Sequence, residues 1–207
     1  YLLANCTVDG AGYNIDIGEN FYQRKGTLDV NGSTINITGD YIIEKADGSG
    51  ANAILQMIKT DDHITVAGEF LMNSNWSHSD KLTAGIMEIK GDFTEKYNPH
   101  SRSTWTNFQA TAGHKVKLSG SGAQSVMFET ASSGRSCFAN LELNNTGNLE
   151  FASLVTVTEN LVNNLSSEPI NVTNLYLAGT ATVNSGLINE GEWPWDLAIY
   201  ENRTLTQ

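Results

Sequence analysis

The sequence predicts an all-β chain wound as a right-handed parallel β-solenoid of about seven to eight irregular coils. Three observations carry that expectation: a recurring seven-residue phrase, the intervals at which it returns, and a composition rich in turn residues. The phrase runs apolar, any, apolar, any, Gly or Glu, a small polar or acidic residue, then an aromatic or aliphatic. It first appears as Ile15-Asp16-Ile17-Gly18-Glu19-Asn20-Phe21 and next as Ile35-Asn36-Ile37-Thr38-Gly39-Asp40-Tyr41. Ile64-Thr65-Val66-Ala67-Gly68-Glu69-Phe70 and Met87-Glu88-Ile89-Lys90-Gly91-Asp92-Phe93 follow. Weaker copies stand at Val116–Gly120, Val155–Leu161 and Leu175–Ala181.

The fifth position of the phrase falls at 19, 39, 68, 91, 120, 159 and 179, giving steps of 20, 29, 23, 29, 39 and 20. A step of 20 suits one turn with tight corners, and 23 or 29 suits the same turn with an added loop. The step of 39 is about twice the shortest, so a degenerate coil is expected inside it, with Leu141-Glu142-Leu143 as its strand. Alternation of period two turns the first, third and seventh residues of each copy to one side. Phe21, Tyr41, Phe70 and Phe93 are thereby placed in one stacked aromatic column, with Asp16, Asn36, Thr65 and Glu88 facing solvent. A further strand precedes some copies, as in Thr27–Gly32 and Leu55–Met57. Ala53–Lys59 has a faint helical pattern, but the strand reading fits the repeat better.

Size and composition agree with this architecture. The 207 residues and 22.5 kDa fit one domain, taken as solenoid over 1–190 and as a C-terminal cap or linker over 191–207. Nineteen glycines against three prolines, amid abundant Asn, Thr and Ser, are what a turn-rich β chain uses. The net charge of −11 argues against nucleic acid or an anionic membrane as partner, since a polyanion would be repelled. No apolar run is long enough for a membrane span. With Tyr1 at its start the chain reads as a processed or excised piece, so the lack of a leader says nothing about secretion. Cys6 and Cys137 sit about four coils apart in this scheme, roughly 19 Å, so both are expected as free, buried thiols rather than a disulfide.

Leu82-Thr83-Ala84-Gly85-Ile86-Met87-Glu88-Ile89-Lys90-Gly91-Asp92-Phe93-Thr94, with His114–Gly120 and Phe138–Leu143 after it, resembles a repeat region of very large extracellular proteins of clostridia and related bacteria. The resemblance covers roughly residues 25–165 and stops short of the stretch from Gly191. It implies a secreted or cell-surface location and a part in adhesion, scaffolding or glycan contact. It implies no catalytic residue.

Function is expected on the loops, which a rigid scaffold sets side by side. Three successive copies are followed by enlarged loops at the same corner: 44–50, 73–80 and 95–105. Together they hold Trp76, His78, Tyr97, His100, Arg102 and Trp105. Aromatic rings flanked by Asn, Asp and Arg suit a sugar, whose apolar face stacks on the ring while its hydroxyls bond the polar groups. The competing reading has both tryptophans folding back to seal the loops. The expected partner is polysaccharide or a cell-surface glycan, with neighbouring modules or copies meeting the solenoid ends.

Asp40, Glu69 and Asp92 occupy matching places in neighbouring coils, where like charges about 5 Å apart call for an offset. Ca²⁺ would supply one, and backbone amides at each residue's own corner would supply another. No other cofactor is expected. Catalysis has weaker support. Asp61, Asp62, Asp92 and Glu95 offer carboxylates for a polysaccharide hydrolase or lyase of the parallel β-helix type, but nothing singles out a pair. The last alternative is structural, a stalk or self-assembling fibre subunit, because the opening residues already read as strand and show no cap.

Overall fold

The computed structural model describes residues 1–97, 102–167, 170–171, 174–178, 182–183 and 198–199. The chain is nearly all β, and every strand pairing among the described residues is parallel. The strands form in rounds. The first round is β1 (Thr7–Asp9), β2 (Asn14–Ile17) and β3 (Phe21–Tyr22). The second is β4 (Lys25–Asp29), β5 (Thr34–Ile37) and β6 (Tyr41–Ile43), and the third is β7 (Asn52–Gln56), β8 (His63–Val66) and β9 (Phe70–Met72). Later rounds contribute β10 (Ile86–Ile89) with β11 (Phe93–Glu95), β12 (Lys115–Leu118) with β13 (Gln124–Phe128), and β14 (Phe138–Leu143) with β15 (Leu149–Phe151). β16 (Val155–Asn163), β17 (Leu175–Leu177), β18 (Thr182–Val183) and β19 (Ala198–Ile199) close the series.

These strands lie in three sheets rather than one coiled sheet. β1-β4-β7 form the first, β3-β6-β9-β11-β13-β15 the third, and the remaining strands the second and largest. The separation has a local cause: Gly and Asx at each corner interrupt the ladder, so each round is cut into short straight runs. Beyond β7 the first sheet is continued by single bridges, Met57↔Leu82↔Ala110 and Gln109↔Cys137, where the enlarged loops take over.

The repeat phrase sets the register. Ile15, Ile35, Ile64, Met87, Val116, Leu141 and Leu161 pair in one unbroken row through the second sheet. Leu141-Glu142-Leu143 therefore does supply the strand expected inside the 39-residue step. The copy at Val155 departs from the row. Its Val155-Thr156-Val157 pairs with Leu175-Tyr176-Leu177, and the row passes through Leu161 instead, after a register shift between Phe138 and Asn140. An inserted residue at such a bulge moves everything beyond it.

Alternation then builds the core. In β5, β8, β10 and β12 the second and fourth residues are buried while the others stay partly exposed. Phe21, Tyr41, Phe70 and Phe93 pair in register in the third sheet, with ring centroids 5.1, 5.4 and 5.5 Å apart. Phe108, Phe128 and Phe138 extend that packing around Phe93. Ala53 lies in β7, so the faint helical pattern there yields to the strand. The predicted cap at 191–207 lies outside the described residues apart from Ala198–Ile199. Both thiols are free, yet only Cys137 is buried and Cys6 is exposed; among the described residues no strand pairs with the outer edge of β1 beside it. Burial pushes the Cys137 thiol up to about 12.

Candidate functional site

The three enlarged loops do meet on one edge. They leave the third sheet after Ile43, Met72 and Glu95, which are register partners in successive rounds. The Asn75 amide donates to the Ala51 carbonyl at 2.7 Å, and the His78 amide donates to the Thr106 carbonyl at 2.8 Å. The Thr106 hydroxyl is 2.6 Å from the Ser77 hydroxyl. A 3₁₀ turn over Arg102–Thr106, not foreseen in the sequence, carries Trp105.

The structure divides the predicted ligand residues. Trp76 is 49% exposed, and its backbone amide is anchored to the Ser74 hydroxyl at 3.0 Å. Trp105 follows the sealing alternative. Its indole N–H donates to the Tyr97 hydroxyl at 2.9 Å, and the Arg135 guanidinium lies 4.5 Å from its ring centroid. Tyr97 is fixed in turn, its amide donating to Glu129 Oε2 at 2.6 Å. His78 faces inward, a correction to its expected role. It is fully buried, and Nε2 accepts the Leu55 amide at 3.1 Å, so it cannot meet a ligand. Burial lowers its pKa to about 4. His100 and the side chain of Arg102 lie outside the described residues.

Arg135 and Glu129 come from a loop that the repeat phrase does not reach, so nothing in the spacing pointed to them. Glu95 did carry a signal: two residues beyond Phe93, it must share the inward face. It is fully buried and accepts from the Thr130 hydroxyl at 3.0 Å, the Ser136 hydroxyl at 2.9 Å and the Glu129 amide at 3.1 Å. Burial outweighs these donors and raises its pKa to about 7. Ser136 also contacts the Trp105 carbonyl at 3.5 Å, so this buried carboxylate braces the turn that holds Trp105.

Asn20, Asp40 and Asp92 in the acidic row support the backbone. Asn20 Oδ1 accepts the Asp40 amide, Asp40 Oδ1 accepts the Glu69 amide, and Asp92 Oδ1 accepts the Ser125 amide, at 2.9, 2.9 and 2.7 Å. Each bond joins one round to the equivalent position of the next, not to the residue's own corner as expected. A side-chain oxygen laid across the corner leaves no room above it. A Cβ at Gly68 would overlap Asp40 Oδ1 and the Gly39 backbone. Burial raises the pKa of Glu69, and Asp40 and Asp92 on either side add to the rise, against a bond to Thr94 that lowers it. Asp40, Glu69 and Asp92 thus do not converge as a calcium cage, and no group of three metal-ligating side chains forms among the described residues.

Three of the four carboxylates considered for catalysis are similarly committed. Asp62 is buried and accepts three amides, and Glu95 and Asp92 are bonded as above. Asp61 contacts only Thr60, at 3.3 Å. A concave pocket of about 370 Å³ opens at another corner, lined by Tyr1, Glu19, Asn20, Tyr22 and Thr38, so Trp76 is not in its wall. Among the described residues no helix is long and apolar enough to cross a membrane. Comparison with protein-family models, with curated proteins and with solved structures finds no match.

Proposed function

We propose that this chain is a non-catalytic module of the cell surface or extracellular space that adheres to polysaccharide or cell-surface glycan through the Trp76 loop. The three parallel sheets are taken as the faces of one right-handed solenoid of about seven to eight coils over 1–190, closed by 191–207. One observation carries the glycan reading. Trp76 holds a half-exposed indole on a loop anchored on both sides, by Ser74 and by the Ser77–Thr106 contact. A rigid, exposed ring loses little entropy when a sugar stacks on it. Extracellular location rests on the resemblance of the repeat phrases. Pull-down on insoluble polysaccharides and a glycan array test the reading. Trp76→Ala is expected to weaken binding by roughly tenfold or more while the fold persists. Trp105→Ala is expected to lower stability first. Absence of binding by the parent protein would refute it.

A second reading, a stalk or assembling unit, has its own support. Ile15, Ile17 and Phe21 are only partly buried, whereas their register partners Ile35, Ile37 and Tyr41 are wholly enclosed. The interior apolar row is therefore less covered at the first round, and among the described residues no strand pairs with the outer edges of β1, β2 and β3. Sedimentation over a wide concentration range tests it, since end-to-end association requires mass to grow with concentration.

A further inference from the structure

Glu44, Asn73 and Lys96 are the first residues after β6, β9 and β11, so the register stacks them in three successive rounds. Lys96 Nζ lies 2.8 Å from Glu44 Oε1, two rounds away, and must pass the intervening Asn73 to reach it. Asn73 Nδ2 donates to that same oxygen at 3.0 Å and to the Gly48 carbonyl at 3.1 Å. Two acceptors on one amide nitrogen settle which end of the carboxamide faces Glu44. Asn73 is buried, while the Glu44 and Lys96 side chains are 17% and 35% exposed.

We propose that these three residues form a self-modification site, in which Lys96 and Asn73 become joined by an amide bond with Glu44 as the proton carrier. The Lys96 ammonium passes a proton to Glu44, and the freed lone pair adds to Asn73 Cγ, forming the new C–N bond. Glu44 then returns that proton to Nδ2, the Cγ–Nδ2 bond breaks and ammonia departs, while the surplus proton on the former Lys96 amine passes to the Glu44 carboxylate, leaving a neutral amide and a protonated acid. No oxidant or other reactant enters. Lysine amines serve as nucleophiles once deprotonated. The two nitrogens share one acceptor oxygen, which keeps them within about 6 Å, and held reactants behave as though at very high concentration. The carboxylate touches both the attacking and the leaving nitrogen, as the proton transfer requires. An ordinary ion pair would need no asparagine at the acceptor.

High-resolution mass spectrometry of the intact, folded chain tests this directly. Loss of ammonia should leave the protein about 17 Da lighter than its sequence, and digestion should yield one branched peptide joining Asn73 to Lys96. Lys96→Arg keeps the ion pair but lacks the amine, and Glu44→Gln keeps the shape but cannot carry the proton. Both should show the full mass. A full mass for the wild-type chain after prolonged incubation in the folded state overturns the proposal. So does a light mass whose peptides place the loss elsewhere. The wild-type mass decides the question even if a variant fails to fold.

Discussion

Asp62 receives the amides of Gly32, Ile58 and Lys59 at 2.6, 2.7 and 2.9 Å, and it is buried. Its removal strands three donors, so Asp62→Ala is expected to cost roughly 2–4 kcal/mol in urea unfolding, with Asp62→Asn milder. The buried titratable groups predict a pH response as well. Burial lowers His114 to about 3 and His78 to about 4, below the ordinary value near 6.5. A depressed folded-state pKa means that the unfolded chain binds the proton first. Stability from these histidines is therefore complete above about pH 6.5 and is lost as pH falls toward 3–4. Glu95 acts with the opposite sign. Raised from 4.5 to about 7, it contributes stability below pH 4.5 that disappears as pH rises through 7. Between pH 4.5 and 6.5 the two strongly shifted histidines act against Glu95 and the less strongly raised Glu69, so melting temperature should rise with pH across that interval. Glu95→Gln should steepen the rise, because the more strongly raised of the opposing carboxyls is gone. A wild-type melting temperature that falls over the same interval would contradict this balance.

At the scale of strands, the aromatic row makes position along the stack the variable that matters. Phe93 touches Phe70, Phe108, Phe128 and Phe138 with centroids 4.9–5.5 Å away, and it is fully enclosed. Phe93→Ala should cost about 3–5 kcal/mol, the usual range for an enclosed phenylalanine. Phe21→Ala should cost clearly less, since Phe21 packs on Tyr41 alone among these rings and remains partly exposed. Equal losses in denaturant titrations would mean that the rows do not grade in this way. The same rows explain what could be read in advance. Period-two alternation and the Gly–Asx corner are local chemistry, so Ile15 to Leu141 and Phe21 to Phe93 were legible from spacing. Loop side chains obey no such period, which is why His78 turned inward unannounced and Arg135 came to cover Trp105. The shift at Phe138 was invisible for another reason: Val155-Thr156-Val157 is a good strand in either row, and only the bulge decides which one it joins. The acidic row was visible as a column, but charge alone could not reveal that Asp40 and Asp92 each serve an amide of the next round.

For the molecule as a whole, parallel rounds whose strands pair only with those of adjacent rounds should lose structure in sequence rather than all at once. Among the described residues no strand covers the outer edge of the first round. Its β1 is exposed along its length, and β2 buries its apolar residues only in part, while β5 and β8 enclose the equivalent ones. Hydrogen exchange on the native protein should therefore show amide protection rising from β2 to β5 to β8, the gradient expected of fraying from an uncovered edge. The amide bond proposed between Asn73 and Lys96 would sharpen that gradient. It would pin β9 to the residue after β11 and close a loop of about two dozen residues, a constraint that acts mainly by restricting the unfolded chain. Protection in β8 to β11 should then drop in Lys96→Arg and leave β2 unaffected. Association through the open end makes the reverse pattern, with β2 and β3 gaining protection as concentration rises and β10 unchanged. Exchange measured at two concentrations on both proteins separates the effects. Uniform protection from β2 to β10 would instead mean that the rounds unfold as a single cooperative unit.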